Sequence, residues 1–422
     1  MIDTTLQFLD NLFANPIWFY LITLIIKIVI CLAITIAFVP ISVLVERRVA
    51  SFIQDRVGPN RAGIPLSIFR RFGSKADIPL QSLLDQWGLP HDGKVASLFK
   101  FLRMDKDIPI LGLVQPAVDG AKLFLKQDFT PPFVRKCYFW IAPALVLAAP
   151  LMTVAAIPFG GTLETPYGNV NMVVANLNIG PLWIFAISSI SVYGLVLAGW
   201  ASNSKYPLLG GIRSSAQMIS YEISMGLSII PLLMIYSTLN LQDIVQYQAD
   251  NGWLLLPFWG EGLSMQRWVL LIPIAISFVI FLSSVFAETN RTPFDMSECE
   301  TDLVGGYHTE YSSMKFALFF MGEYAAMVVG SAFVVTLFLG GWSMGFGLDG
   351  LVTDLIGNWA AVILQIIAFV VKLFFFVFFF VWVRWTLPRF RYDQVMKLGW
   401  LVFFEAALVN IFITAAILYF IK

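Results

Sequence analysis

The stretch that decides the fold is RWVLLIPIAISFVIFLSSVFA, residues 267–287, together with the loop that follows it up to residue 323. The first part is long and apolar enough to cross a bilayer, because a hydrocarbon core of about 30 Å needs roughly 20 apolar residues in a helix. The loop carries only two cations, Arg291 and Lys315, against seven carboxylates. These carboxylates are Glu288, Asp295, Glu298, Glu300, Asp302, Glu310 and Glu323. Ionisable groups are costly inside a bilayer, so this arrangement predicts a site that handles protons or responds to charge.

The composition is that of an integral membrane protein. Of the 422 residues, 58% are hydrophobic and 13% are charged, whereas soluble domains carry about 25% charged residues. Eight apolar runs predict eight transmembrane helices, an all-α fold and a single polytopic membrane domain, residues 1–422. The runs lie at residues 17–45, 136–157, 180–201, 216–236, 267–287, 314–339, 359–382 and 398–421.

The positions of Lys and Arg predict the orientation of the chain in the membrane. Of the 27 basic residues, 23 lie in or beside the loops after spans one, three, five and seven, and only Arg267 and Lys422 lie on the opposite side. The positive-inside rule therefore places both termini outside and these four loops inside. Residues 1–15 lack the features of a signal peptide, which favours a bacterial inner membrane over a mitochondrial or plastid one.

Few residues of the chain are suited to hold a redox metal. The three cysteines, Cys31, Cys137 and Cys299, are far apart, and the two histidines, His91 and His308, lie outside the apolar runs. Iron–sulfur clusters need several thiolates, and haem needs axial ligands. We therefore expect no metal, no iron–sulfur cluster and no NADH to be bound by this chain, and no nucleic acid as a partner.

The first inside loop contains a segment with the pattern of an amphipathic helix. Val114–Lys126 has apolar residues at helical spacing, and Pro116 suits the first turn of a helix. We expect this helix to lie in the plane of the membrane interface. An ordinary surface helix of the loop fits the same pattern.

Carboxylates at membrane depth are the strongest functional signal. Glu288 and Glu323 flank the acidic loop within the predicted spans, and Glu222 lies inside the fourth span. They predict a polar path from the loop into the bilayer. In the loop itself, Glu298, Glu300 and Asp302 alternate, so we expect raised pKa values and a coupled titration. A solvated acidic face that binds a basic partner is the alternative for the loop.

Basic residues on the same side of the membrane have two interpretations. The run ERR (46–48) ends the first span, and two further arginines surround a Gly-Pro turn at 54–61. These arginines either bind an anionic or carbonyl-bearing ligand or anchor lipid headgroups. The arginines of residues 384–394 fit simple anchoring. Inside the spans, Lys372 is expected to join the polar path, and Lys27 to extend towards the outer surface.

Taken together, these segments resemble the quinone-site membrane subunit of respiratory complex I, which is called the H subunit in bacteria and subunit 1 in mitochondria. The resemblance covers nearly the whole chain, and residues 64–110 form an insertion relative to the family. The matching runs are ERR (46–48), GPNR (58–61), QPAVD (115–119), GWASNSKY (199–206), SYE (220–222), AETNRTPFD (287–295), GYHTEY (306–311), GEY (322–324) and LPRFRYDQ (387–394).

The resemblance implies a membrane subunit of a proton-pumping NADH:quinone oxidoreductase. Such a subunit forms much of the quinone chamber with other membrane and peripheral subunits, and electrons arrive from an iron–sulfur cluster in a peripheral partner. By similarity, the quinone channel is formed by Glu46, Arg47, Asp119, Arg291 and Asp295. By the same similarity, proton coupling is assigned to Glu222, Glu288, Glu298, Glu300, Asp302, Glu310 and Glu323.

Other interpretations stay open. The chain also fits the corresponding subunit of a membrane-bound hydrogenase or of a related ferredoxin- or F420-linked complex, although the acidic loop and residues 392–394 favour the quinone enzyme. A free-standing ion transporter is a third possibility, but such proteins commonly show internal repeats, and we find none. The insertion at 64–110 either packs on a peripheral subunit or forms a disordered excursion. Glu405, in the last span, is either an additional buried carboxylate or a group at the lipid edge.

Overall fold

The structure is a computed structural model that describes residues 16–59, 112, 114–256, 265–297 and 303–421. The predicted site residues Glu298, Glu300 and Asp302, and the predicted insertion at 64–110, lie outside these ranges. The chain forms two compact units. One consists of residues 1–39 and 127–422, and the other of residues 40–126.

Helices dominate both units. In chain order they are α1 (Pro16–Ile53), α2 (Gln115–Leu125), α3 (Lys136–Thr153), α4 (Gly180–Ala201), α5 (Lys205–Tyr236), α6 (Leu241–Asn251), α7 (Met265–Glu288), α8 (Ser313–Phe338), α9 (Leu348–Ile356), α10 (Asn358–Thr386), α11 (Tyr392–Lys397) and α12 (Phe404–Ile421). A π-helical segment, Leu398–Phe403, joins α11 to α12. Among the described residues, eight helical segments are long and apolar enough to cross a membrane, as the sequence predicts. They are α1, α3, α4, α5, α7, α8, α10 and the continuous segment from α11 to α12.

Three spans extend beyond their predicted bounds. Helix α1 continues past residue 45 to Ile53, α5 begins at Lys205 instead of residue 216, and the last span begins at Tyr392 instead of residue 398. Hydropathy marks the part of a helix that lipid can surround, whereas the helix itself continues into polar residues that do not break it. Pro207 lies in the first turn of α5, where proline is tolerated.

A close approach of two backbone segments occurs at Gly210, within helix α5. Gly210 in α5 packs against the short 3₁₀ helix Gly306–His308, and a methyl group at Gly210 would come within 2.7 Å of the Gly306 Cα. The missing side chain therefore lets the end of the acidic loop lie directly on α5.

Buried polar side chains connect α5 to its neighbours, which include α4, α7 and α12. The amide of Gln217 donates to the backbone oxygens of Ala287 and Phe294, each at 2.8 Å. The hydroxyl of Tyr221 donates to the backbone oxygen of Val395 at 2.8 Å. The two bonds of Gln217 fix the end of α7 and the start of the acidic loop on α5, and the bond of Tyr221 fixes α11 on the same helix. Each bond contributes roughly 0.5–1.5 kcal/mol.

A β-hairpin between α3 and α4 is an addition to the predicted helices. Strand β1 (Thr162–Thr165) pairs antiparallel with β2 (Gly168–Asn171). Asn358, the first residue of α10, accepts a bond from the Glu164 N–H and donates to the Thr162 carbonyl. The hairpin therefore holds the start of α10.

Replacing Gly210 by alanine tests the close approach. We expect Gly210→Ala to destabilise the protein, because the added methyl group overlaps the backbone at Gly306; overpacking of this kind typically costs about 1–3 kcal/mol. The measurement is the melting temperature of the purified protein in its complex. Gly226→Ala, in the same helix, is the control, because no described atom outside the local backbone of its own helix lies within 4 Å of the added methyl group. Equal melting temperatures for the two variants would contradict the packing.

Candidate functional site: a membrane cavity lined by carboxylates

Two predicted channel residues form an ion pair within the unit of residues 40–126. Arg47 Nη1 lies 2.8 Å from Asp119 Oδ2, and the Gln115 amide donates to Asp119 Oδ1 at 3.0 Å. Asp119 lies in α2, which has the predicted bounds to within a residue. Glu46, which is assigned to the same quinone channel, is buried near the end of α1.

A cavity of about 70 Å³ lies among α3, α4, α5, α7 and α8. This space is enough for several water molecules, because one water needs roughly 10–15 Å³. Two predicted carboxylates, Glu288 and Glu323, line it. The other polar lining residues include Thr153, Ser188, Ser191, Thr289 and Asn290. The remaining lining is largely apolar, so the two carboxylates lie in a small polar space that is surrounded by apolar side chains.

Three of the predicted proton-coupling residues come close together here. Glu288 is the last residue of α7, and its carboxylate is hydrogen-bonded to the Ser188 side chain. Glu222, on α5, is near enough to Glu288 for their charges to repel. Because like charges in a low dielectric cannot all be ionised at low cost, this group favours a state that holds at least one proton.

Arg291 connects the predicted channel residues to the cavity. Its Nε lies 2.7 Å from Glu323 Oε1, and the exposed fractions of the two side chains are only 3% and 11%. The guanidinium also lies 4.1 Å from the centroid of the Tyr324 ring. Removing one partner of a buried ion pair costs about 3–5 kcal/mol. The energy of the buried Arg291 side chain therefore depends strongly on the charge of Glu323.

Asp295, the second predicted channel residue of the acidic loop, pairs with an arginine that the sequence assigned to anchoring. Arg389 Nη2 donates to Asp295 Oδ2 at 2.9 Å, and the Phe390 N–H donates to the Pro293 carbonyl. Burial raises the pKa of Asp295, while the charges of Arg389, Arg384 and Arg291 act in the opposite direction. Asp295 Oδ1 is buried and has no hydrogen-bond partner in the described part of the chain.

Lys315, the other cation of the loop, is also paired with a residue outside it. Its Nζ lies 3.1 Å from Asp128 Oδ2 and donates to the Thr130 hydroxyl at 2.6 Å. The Ser312 hydroxyl bonds both the N–H and the carbonyl of Phe129. No local sequence signal identifies Asp128, because its partner lies far along the chain. These contacts attach the start of α8 to the segment that follows α2.

Several other predicted residues lie away from the cavity. Glu310 is half-buried, Glu405 is exposed, and neither lines the cavity. Lys372 does not join the polar path either. Its Nζ donates to the carbonyls of Leu339, Gly341 and Ser343 and lies 4.0 Å from the centroid of the Trp253 ring. Lys372 thus satisfies the carbonyls at the end of α8 with its own charge.

Within the described ranges, no group of three or more His, Cys, Asp or Glu side chains is placed to hold a metal ion. Cys299 lies outside those ranges. That this chain binds no redox metal stays a prediction.

Removing Arg389 tests the pairing of Asp295. We expect Arg389→Gln to lower the free energy of unfolding by about 1–2 kcal/mol, in the lower part of the range for bonds to charged groups, because Arg389 is half-exposed. Without the arginine the pKa of Asp295 rises further. The loss should therefore vanish at low pH, where the carboxyl is protonated in folded and unfolded chains alike, and grow as the pH rises through the raised pKa of Asp295, where the carboxyl of the folded protein ionises.

The measurement is thermal unfolding of the purified complex at several pH values. Arg391→Gln is the matched control, because Arg391 lies in the same loop, its side chain is 82% exposed, and its contact with the exposed Asp393 is 3.4 Å long. The same loss in both variants, or a loss that does not depend on pH, would argue against the pair.

Comparisons with known proteins identify the family of the chain. The sequence profile of the family described as NADH dehydrogenase matches residues 105–415. The chain is 40% identical over 391 residues to the H subunit of NADH-quinone oxidoreductase from Flavobacterium johnsoniae, covering 93% of each protein. It is 45% identical over 317 residues to an H subunit of NADH-quinone oxidoreductase from Geobacter sulfurreducens, covering 72% of this chain and 82% of that protein.

A third relative carries the same name. The H subunit of NADH-quinone oxidoreductase from Salinibacter ruber is 40% identical over 375 residues, covering 88% of this chain and 89% of that protein. The eight spans and the matches over most of the chain lead to one conclusion. The chain belongs to the family of H subunits of NADH-quinone oxidoreductase, which are membrane subunits of complex I.

Proposed function

We propose that this chain forms much of the quinone chamber of a proton-pumping NADH:quinone oxidoreductase and couples quinone reduction to proton translocation. The observation that carries the proposal is the Arg291–Glu323 ion pair at 2.7 Å. It joins a residue assigned to the quinone chamber to a membrane cavity that also contains Glu288. A change of charge in the chamber can therefore alter the charge balance in the cavity through this ion pair.

The chemistry of the quinone supplies that change of charge. Reduction of a quinone to a quinol takes up two electrons and two protons, so negative charge develops on the head before protonation is complete. Two unit charges 4 Å apart interact by about 4 kcal/mol at an effective dielectric constant of 20. An interaction of this size alters a protonation equilibrium about a thousandfold. Negative charge that attracts Arg291 would weaken its hold on Glu323 and so favour uptake of a proton there.

The cavity offers a path for protons released or taken up in this way. Glu222, Glu288 and Glu323 supply proton-binding groups, and the hydroxyl and amide groups of the lining can hold water between them. We assign Glu298, Glu300, Asp302 and Glu310 to the inner end of the path, as the resemblance implies. Intramembrane carboxylates of this kind mark proton relays in pumps and transporters.

The entrance for the quinone is assigned to Glu46, Arg47 and Asp119. Helix α2, which carries Asp119, has no buried residue, and its Phe124 and Leu125 side chains are 72% and 83% exposed. Exposed apolar side chains on a short helix suit the plane of the membrane interface, where a lipid-soluble quinone would enter. A narrow, mostly apolar chamber suits an isoprenoid tail, with few polar groups for the head.

The proposal includes partners and location. The inner loops would contact a peripheral iron–sulfur subunit that delivers electrons, and other membrane subunits would continue the proton path. Both termini would lie outside a bacterial inner membrane, as the distribution of basic residues indicates. The names of the relatives support a quinone-linked complex over the hydrogenase-type and transporter alternatives.

Replacing Glu288 by glutamine tests proton coupling. Glutamine keeps the size of the side chain but cannot ionise, so we expect quinone reduction to fall on the order of tenfold or more and proton translocation to fall with it. The measurement is NADH-driven quinone reduction and proton uptake in proteoliposomes that contain the purified complex. Glu405→Gln is the control, because Glu405 is an exposed carboxylate in a span and does not line the cavity.

NADH oxidation by an artificial acceptor that bypasses the quinone reports whether each variant is assembled. Normal reduction and normal pumping in Glu288→Gln would refute the role of the cavity. The same loss in Glu405→Gln would show that any carboxylate in the membrane matters, and not this group.

Exchanging the partners of the Arg47–Asp119 pair tests the quinone entrance. We expect Arg47→Ala to raise the apparent KM for quinone more than it lowers kcat, because Arg47 would contact the substrate on entry. A double variant, Arg47→Asp with Asp119→Arg, keeps an ion pair but reverses its direction. The double variant should assemble normally, but its apparent KM for quinone should stay raised. An unchanged KM in Arg47→Ala would remove the residue from the entrance.

A further inference from the structure

A second cavity, of about 40 Å³, lies between the N-terminal half of α1 and helices α8 and α10. Its lining is apolar except for Cys31 and Thr35, and the Thr35 hydroxyl donates to the Cys31 carbonyl at 2.9 Å. Val329 lines both this cavity and the one that contains Glu288 and Glu323. The two cavities are therefore neighbours, separated by the Val329 side chain.

A cation lies at one end of this cavity. Lys27 precedes Cys31 by one helical turn on the same face of α1. Its Nζ is 3.4 Å from the carbonyl of Asn171, at the end of β2. The next residue, Met172, accepts a bond from Phe159, which lines the cavity. Lys27 thus lies level with the hairpin that joins α3 to α4, and the ends of membrane-spanning helices lie near the headgroups of a bilayer.

The described part of the chain supplies no anionic partner for the charge of Lys27. Across residues 16–59, 114–256, 265–297 and 303–421, no carboxylate lies within ion-pair distance of its Nζ. A half-buried ammonium group at the membrane surface is more stable beside an anion. The phosphate of a phospholipid is the anion that this level of a bilayer supplies.

Exposed apolar side chains surround the cavity. Val29 and Ile30 on α1, and Ile367 and Val371 on α10, are exposed apolar side chains next to lining residues. An acyl chain from the bilayer therefore has access to the cavity along an apolar surface. A dry, apolar space of this kind would otherwise leave its lining atoms without contacts.

We propose that this cavity is part of a phospholipid site, in which a short segment of one acyl chain enters the space between α1, α8 and α10 and Lys27 binds the phosphate. The apolar lining favours the acyl chain of the lipid, and the ammonium group of Lys27 favours a headgroup that carries a phosphate. Binding at this site does not depend on quinone chemistry, so its test is independent of the proposed function.

Photolabelling of the purified complex with two probes tests the site. One probe is phosphatidylglycerol with a diazirine on its acyl chain, and the other is a diacylglycerol with the same chain and no phosphate. We expect both to label peptides that contain residues 31–35 and 366–373. Lys27→Gln should reduce labelling by phosphatidylglycerol about fivefold, which corresponds to about 1 kcal/mol for one basic residue, and leave labelling by diacylglycerol unchanged.

Two variants that fill the cavity complete the test. Ala332→Leu and Thr35→Leu add methyl groups from α8 and α1, respectively, and each should reduce labelling by both probes. Ile363→Phe is the control, because Ile363 is 56% exposed on α10 and does not line the cavity. Labelling that is unchanged in both filling variants would overturn the site. An equal reduction of both probes in Lys27→Gln would overturn the role of the lysine.

Discussion

An ionised carboxylate that leaves water needs a cation, hydrogen bonds or a proton, and this requirement organises the centre of the molecule. Glu323 obtains a cation from Arg291, and the pair is nearly inaccessible to solvent. Glu288 has the Ser188 side chain as a hydrogen-bond partner, and the nearby Glu222 opposes its charge. The three groups cannot all be satisfied as anions by one arginine. Under the proposed function, a change in the charge near Arg291 would therefore change where protons are held.

The fold holds this group in place by fixing the acidic loop on three sides. Gln217 binds the end of α7 and the start of the loop, Arg389 binds Asp295, and Lys315 binds Asp128. The third contact follows directly after α2 in the chain. Gly210 adds a close backbone contact at the far end of the loop. These contacts are what allow a charge change in the loop to act on the cavity instead of being absorbed by movement of the loop.

The sequence predicted the features that depend on local composition. Apolar runs identified all eight spans, and the carboxylates Glu288 and Glu323 were recognised from their depth in them. Residues whose role depends on a distant partner were not recognised. Arg389 looked like a membrane anchor, and Asp128 gave no signal, because each pairs with a residue far along the chain. Lys372 was expected on the polar path, but three carbonyls at the end of α8 surround it, and no pattern in the sequence brings those atoms together.

The most direct test of the central claim is infrared difference spectroscopy of the complex with its quinone reduced and oxidised. The carbonyl stretch of a protonated carboxyl group reports where protons are gained and lost. We expect a carboxylic band that appears or shifts on quinone reduction and that is absent in Glu288→Gln but retained in Glu405→Gln. A difference spectrum that is the same in Glu288→Gln and in the unaltered complex would contradict the coupling of the quinone to this cavity.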